Sequence, residues 1–110
     1  MGKLLDEFTQ EGSVWIIKLT GDVASKLAEP IWLNELLHQL IQAQAHQLVI
    51  DLTHAEQFGS QALRHLLLIR EEYSKRNIEI ILRNPNRHLT RLFQILQMHM
   101  LFVIERVDDG

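Results

Sequence analysis

Leu48-Val49-Ile50-Asp51-Leu52 is the stretch on which the reading of the fold turns. A strand with one wet face alternates apolar and polar residues, whereas Leu48-Val49-Ile50 is unbroken, the pattern of a strand covered on both faces in the middle of a sheet. Asp51 closes it. Toward the N-terminus, Pro30 is placed as the first-turn proline of a helix, and Leu33, Leu36, Leu37, Leu40 and Ile41 recur at helical spacing, which predicts a helix ending near Ala45. Val14-Trp15-Ile16-Ile17-Lys18-Leu19 is β-branched and aromatic, bounded by Gly12-Ser13 and by a turn at Gly21-Asp22, and reads as another strand. Leu4 to Thr9 is its expected hairpin partner across Gln10-Glu11-Gly12.

Toward the C-terminus, Thr53, His54, Ala55, Glu56 and Gln57 read as a polar loop, and Ser60 as the N-cap of a second helix. That helix carries Leu63, Leu66, Leu67, Arg70 and Tyr73 and runs to Lys75-Arg76-Asn77, with Asn77 as a left-handed C-cap. Ile78 to Leu82 is the next strand. Asn84-Pro85-Asn86 stops it and caps a third helix bearing Leu89, Leu92, Phe93 and Leu96, and Leu101 to Ile104 forms a last strand. The order ββαβαβαβ predicts one α/β domain over residues 1–110, a mixed and mainly parallel sheet of about five strands with helices packed against it.

Composition narrows the chemistry. The chain has 110 residues, 46% of them hydrophobic, and no cysteine, which excludes a disulfide scaffold and thiolate chemistry. Eleven Lys and Arg against fourteen Asp and Glu leave a net charge of −3, so no overall positive field draws nucleic acid or anionic lipid. The N-terminus lacks the apolar stretch of a secretory signal, and the longest apolar runs fall well short of the roughly 20 residues that span a bilayer. A cytoplasmic protein without membrane insertion is expected.

The six histidines, His38, His46, His54, His65, His88 and His99, show no metal-binding spacing on one element, and neither of the glycine-rich nucleotide fingerprints occurs. No metal and no cofactor are expected. Ser60 is not in a nucleophile elbow, and no base is aligned to it by the sequence, so no catalytic residue is assigned. Arg87 and Arg91, with Arg83 before them, form the one basic stripe, read as a solvated face. Trp15 and Trp32 are read as packing residues.

One segment is physically unusual. Phe58-Gly59-Ser60-Gln61-Ala62-Leu63 sets a hydroxyl at a helix N-terminus beside a glycine, where free amides and the positive end of the helix dipole favour an anion. A phosphate on Ser60 adds about −1.5 to −2 charges and can be held there without unfolding the helix.

At this segment the chain resembles the STAS domain, the fold of bacterial anti-sigma factor antagonists, from about Val14 to Val107. Gly21-Asp22-Val23 resembles the family's Gly-acid-aliphatic turn, and Leu48-Val49-Ile50-Asp51-Leu52 its apolar strand ending in Asp-Leu. Phe58 to Leu63 falls where the family has an apolar residue followed by Asp-Ser-Ser-Gly-Leu, and Asn84-Pro85 with Leu89, Leu92, Phe93 and Leu96 resembles its last long helix. Gly59, Gln61 and Ala62 stand where the family has Asp, Ser and Gly, and Ala24 where an Asp is common.

The resemblance implies a non-enzymatic switch that binds a serine kinase/anti-sigma factor of the GHKL type. It further implies Ser60 as phosphoacceptor, a serine phosphatase that resets it, and His54, Glu56, Gly59, Gln61 and Arg64 as the partner-binding rim. Loss of the family's Asp at position 59 leaves a second reading open, a constitutive accessory subunit of the ABC ATPase of a lipid-transport complex or of a signalling scaffold. A nucleotide or small-molecule sensor is a third, weakened by the missing phosphate loop.

Overall fold

A computed structural model describes residues 8–18, 21, 22, 30–57 and 60–107. The elements are β1 (Phe8–Glu11), β2 (Val14–Lys18), β3 (Gly21–Asp22), α1 (Pro30–Gln42), β4 (Gln47–Asp51), β5 (Ala55–Gln57) and α2 (Ser60–Ser74). They are followed by β6 (Glu79–Arg83), α3 (Arg87–Ile95), a 3-10 turn at Met98–Met100 and β7 (Val103–Glu105). The main sheet has the order β1-β2-β4-β6-β7, antiparallel at β1-β2 and parallel elsewhere, as the α/β reading predicts.

Strand β4 is central, and its register with both neighbours sorts the core. Trp15, Leu48 and Ile80 lie in one row, and Ile17, Ile50, Leu82 and Ile104 in the next. Both rows join one cluster with Leu36 and Leu40 of α1, Leu66, Ile69 and Tyr73 of α2, and Leu89 and Phe93 of α3. These three helices therefore share one face of the sheet. Between those rows Ile16, Val49 and Ile81 form a separate small cluster on the opposite face, where Val49 is 2% exposed. The unbroken run in β4 is thus buried on both sides.

Several boundaries differ from the sequence reading, each for a local reason. Gln10 and Glu11 belong to β1, because Glu11 pairs with Val14 across a two-residue turn at Gly12-Ser13, with Gly12 at φ +66°. That left-handed angle is one glycine adopts readily and is suited to a tight hairpin. The expected strand residues Leu4 to Glu7 lie outside the described residues. Gly21-Asp22 and Ala55-Glu56-Gln57, read as a turn and a polar loop, pair in parallel as β3 and β5. Neither segment has the apolar periodicity of a strand. The last strand starts at Val103, two residues later than expected, because Leu101 and Phe102 bond back into the 3-10 turn at Met98.

Helix ends share one device. Helix α1 stops at Gln42 because Gln44 turns left-handed, φ 56°, while the Ala45 amide donates to the Leu40 carbonyl and the Gln44 amide to that of Ile41. This is the Schellman arrangement, which leaves the following apolar residue, Ala45, in the core. Asn77, φ 61°, does the same after α2 and buries Ile78, confirming its reading as a left-handed cap. Lys75 and Arg76 consequently fall in the turn beyond α2. After α3, Gln97 is left-handed at φ 58° and precedes the buried Met98. Leu96, expected on the buried stripe, becomes the cap of α3 and is exposed, as are Ile41 and Leu67 on the outer edges of their helices.

Two predictions follow from these ends and from the core. Glutamine in the left-handed region costs about 1–2 kcal/mol, of which a glycine's extra unfolded-state entropy takes back about half. Gln44→Gly and Gln97→Gly should therefore each stabilise the chain by roughly 0.5–1 kcal/mol in urea denaturation. Tyr73 is 1% exposed, and burial pushes its phenol far above the ordinary 10.0. The folded phenol keeps its proton where the unfolded one ionises, so its stabilising contribution is complete below about pH 10 and is lost as pH rises beyond it. The stability difference between native chain and Tyr73→Phe should shrink by up to about 1.4 kcal/mol per pH unit above that point, measured by denaturation between about pH 9 and 11.

Candidate functional site

The carboxyl ends of the parallel strands open onto one edge of the sheet, the usual place for sites in α/β folds. Asp51 ends β4 there, and its Oδ1 accepts from the Thr53 amide at 3.0 Å and the Thr53 hydroxyl at 2.5 Å. This Asx turn reverses the chain into β5. The Leu52 amide donates to the Arg83 carbonyl at 2.8 Å, and the Ala55 amide to that of Leu52 at 3.1 Å, so the turn is pinned to the end of β6.

Two asparagines hold this turn against the rest of the edge. Asn84, left-handed at φ 56°, donates from Nδ2 to Thr53 Oγ1 at 3.2 Å and accepts at Oδ1 from the Val107 amide at 2.8 Å. Its own amide donates to the Glu105 carbonyl at 2.9 Å. One residue therefore bridges the exits of β4, β6 and β7. Asn86 caps α3 through the Leu89 amide at 2.7 Å, as its position before the helix predicts. Its Nδ2 also donates to the Ala55 carbonyl at 3.1 Å, so the start of α3 and strand β5 share one side chain. Arg83 and Glu105 add a partly buried ion pair at 2.7 Å between β6 and β7.

Strand β5 leads from this scaffold to α2. Ser60 is the first residue inside α2, one position later than an N-cap, and Gln61 follows it. The backbone thus sets residue 60 where helix amides lack intrahelical partners. His54 is exposed at the tip of the turn between β4 and β5, Glu56 is the middle residue of β5, and Arg64 is exposed one helical turn beyond Ser60. Gly59, together with Phe58, lies outside the described residues, as do the side chains of Glu56, Ser60 and Gln61. Beside this segment runs β3, with Gly21 opposite Ala55 and Asp22 opposite Gln57. In sequence, His54, Glu56, Ser60, Gln61 and Arg64 run from the turn after β4 through β5 into the second turn of α2.

Sequence reasoning missed Thr53 and Asn84, as well as the second bond of Asn86. Asn84-Pro85-Asn86 is visible as a breaker, but the partners of its side chains come from β4, β5 and the exit of β7. Trp15, read as a packing residue, packs against the main cluster. Trp32 lies in α1, its side chain outside the described residues. Among the described residues no three His, Asp or Glu side chains gather in a metal-holding group, and no helix is long and apolar enough to cross a membrane.

A five-stranded mixed sheet with its helices on one face defines an α/β domain whose fold is shared with solved anti-sigma factor antagonists. The chain superposes with a TM-score of 0.72 on a Thermotoga maritima protein provisionally assigned as an anti-sigma factor antagonist, at 16% identity, covering 93% of this chain and 86% of that one. It superposes at 0.62 on the anti-sigma factor antagonist SpoIIAA in its unphosphorylated form, at 14% identity, covering 94% and 89%. At such identities the likeness is one of fold. The STAS domain family model matches residues 7–109, and the chain belongs to that family. No curated protein sequence matches it.

The Asn84 bridge yields a graded prediction. Removing both side-chain bonds costs about 1–2 kcal/mol, and placing a Cβ-bearing residue without them in the left-handed region about 1–2 more. Asn84→Ala should lower stability by roughly 2–4 kcal/mol and Asn84→Gly by clearly less, with hydrogen exchange quickening at residues 52–57 in both.

Proposed function

We propose that this STAS chain is a non-catalytic regulatory module that binds a serine kinase/anti-sigma factor of the GHKL type and is released when Ser60 is phosphorylated. The observation that carries the reading is the position of Ser60 as the opening residue of α2, on the carboxyl edge after the central strand, within a chain of this family. A phosphate there meets unbonded helix amides and the positive end of the dipole, so the helix tolerates it. The surface seen by a partner changes sharply, since about two negative charges arrive on a chain of net charge −3. Exposed His54 and Arg64 flank the acceptor as recognition residues, with Glu56, Gly59 and Gln61 completing the rim. A serine phosphatase restores the binding form.

Gly59 in place of the family's acidic residue favours a second reading, a constitutive subunit of an ABC-type lipid-transport ATPase or a signalling scaffold, which uses the same surface without the switch. Incubation with ATP and an active GHKL-type serine kinase from the same organism decides between them. Intact mass should rise by one phosphate, the gain should vanish in Ser60→Ala, and the kinase should co-elute with the unmodified chain alone. Absence of the adduct from a kinase that phosphorylates its other substrates overturns the switch. Recovery of an ABC ATPase from native lysate supports the second reading.

A further inference from the structure

On the same edge of the sheet, at the far side of α3, lies a groove of about 550 Å³ lined by Arg87, Thr90, Arg91, Gln94 and Arg106. The four helix residues are spaced i, i+3, i+4 and i+7, one face of α3, while Leu89 and Phe93 on another face fill the core. Arg106 arrives from the exit of β7, and its Nη2 donates to the Thr90 hydroxyl, which itself donates to the Pro85 carbonyl at 3.2 Å. That relay holds one guanidinium against the helix.

Among the described residues the groove is cationic. Among the described residues no lining residue is acidic, and Glu105, next to Arg106 in sequence, is committed to Arg83 at 2.7 Å. Among the described residues Arg87 and Arg91 form no ion pair or hydrogen bond. The first turn of α3 has no acid and carries Arg87 instead, where the helix dipole disfavours cations. Three arginines thus line one groove in a chain of net charge −3. A solvated stripe explains Arg87 and Arg91 on the helix, but not the tethered Arg106 brought to them from another element.

We infer that Arg87, Arg91 and Arg106, with Thr90 and Gln94, form a binding site for a small phosphate-bearing anion. Planar guanidinium forks match phosphate oxygens in pairs, the Gln94 amide adds a neutral donor, and the groove has room for a diphosphate-sized group. The site does not involve Ser60, so it stands or falls apart from the phosphoswitch.

Titration calorimetry and amide NMR with inorganic pyrophosphate, at constant ionic strength near about 150 mM, test it on the whole chain. The expected result is saturable one-to-one binding with shifts centred on residues 87–94 and 106. Arg91→Gln and Arg106→Gln should each weaken it about tenfold or more, while Lys75→Gln, outside the groove, leaves it unchanged. Arg91→Gln removes no hydrogen bond among the described residues, so a folded variant is available. Parallel titrations with ATP and with AMP distinguish a nucleotide source from free phosphate. Unsaturable binding, or binding that both arginine variants retain, overturns the site.

Discussion

The parallel pairing of β4 with β2 on one side and β6 on the other is the constraint on which the rest of the molecule depends. Because side chains alternate across a strand, a slip of one residue would turn Leu48 and Ile50 away from the helices and expose them or bury their neighbours wrongly. Both faces of β4 are apolar, so alternation alone does not select the register. Selection comes from the neighbours: Trp15 and Ile17 on β2, and Ile80 and Leu82 on β6, must meet the helix-facing row together. The Gln47 side chain donates to Glu79 at 3.0 Å and adds a polar mark at the start of that register.

Once β4 is placed, the path of the chain as far as β5 is set by named bonds. The chain leaving Asp51 is turned at once by the Asx bond, tied to Arg83 and Asn84, and led through β5 into α2. The approach to the candidate site is therefore built from side-chain bonds of Asp51, Thr53, Asn84 and Asn86 together with the burial of Leu52 and Ala55. Such bonds are weaker in net worth than core packing but directional, so they fix the path of the chain. Asn86 carries the arrangement further, since the same amide group caps α3 and holds β5.

Much of the fold was legible because the interior rows are long and apolar: β2, β4, β6 and the buried stripes of the helices all announce themselves by period. Legibility failed where structure is made by single bonds. Gly21-Asp22 and Ala55-Glu56-Gln57 have no strand pattern and become strands by pairing with each other, while Gln44 and Gln97 end helices although neither is a typical left-handed residue. The candidate site shows the same division. Ser60 was visible as a hydroxyl before a helical stripe, but Thr53 and Asn84 meet across 31 positions of sequence.

The sequence by itself determined the element order, the central strand, the serine at a helix start and the likeness to the STAS family, because each of these is written in local period, breakers and short motifs. Only the tertiary structure decided which loops touch, which helix faces are covered and where Arg106 meets Thr90. Those depend on strand register and on chain exits brought together along one edge, and no local window of sequence contains both partners.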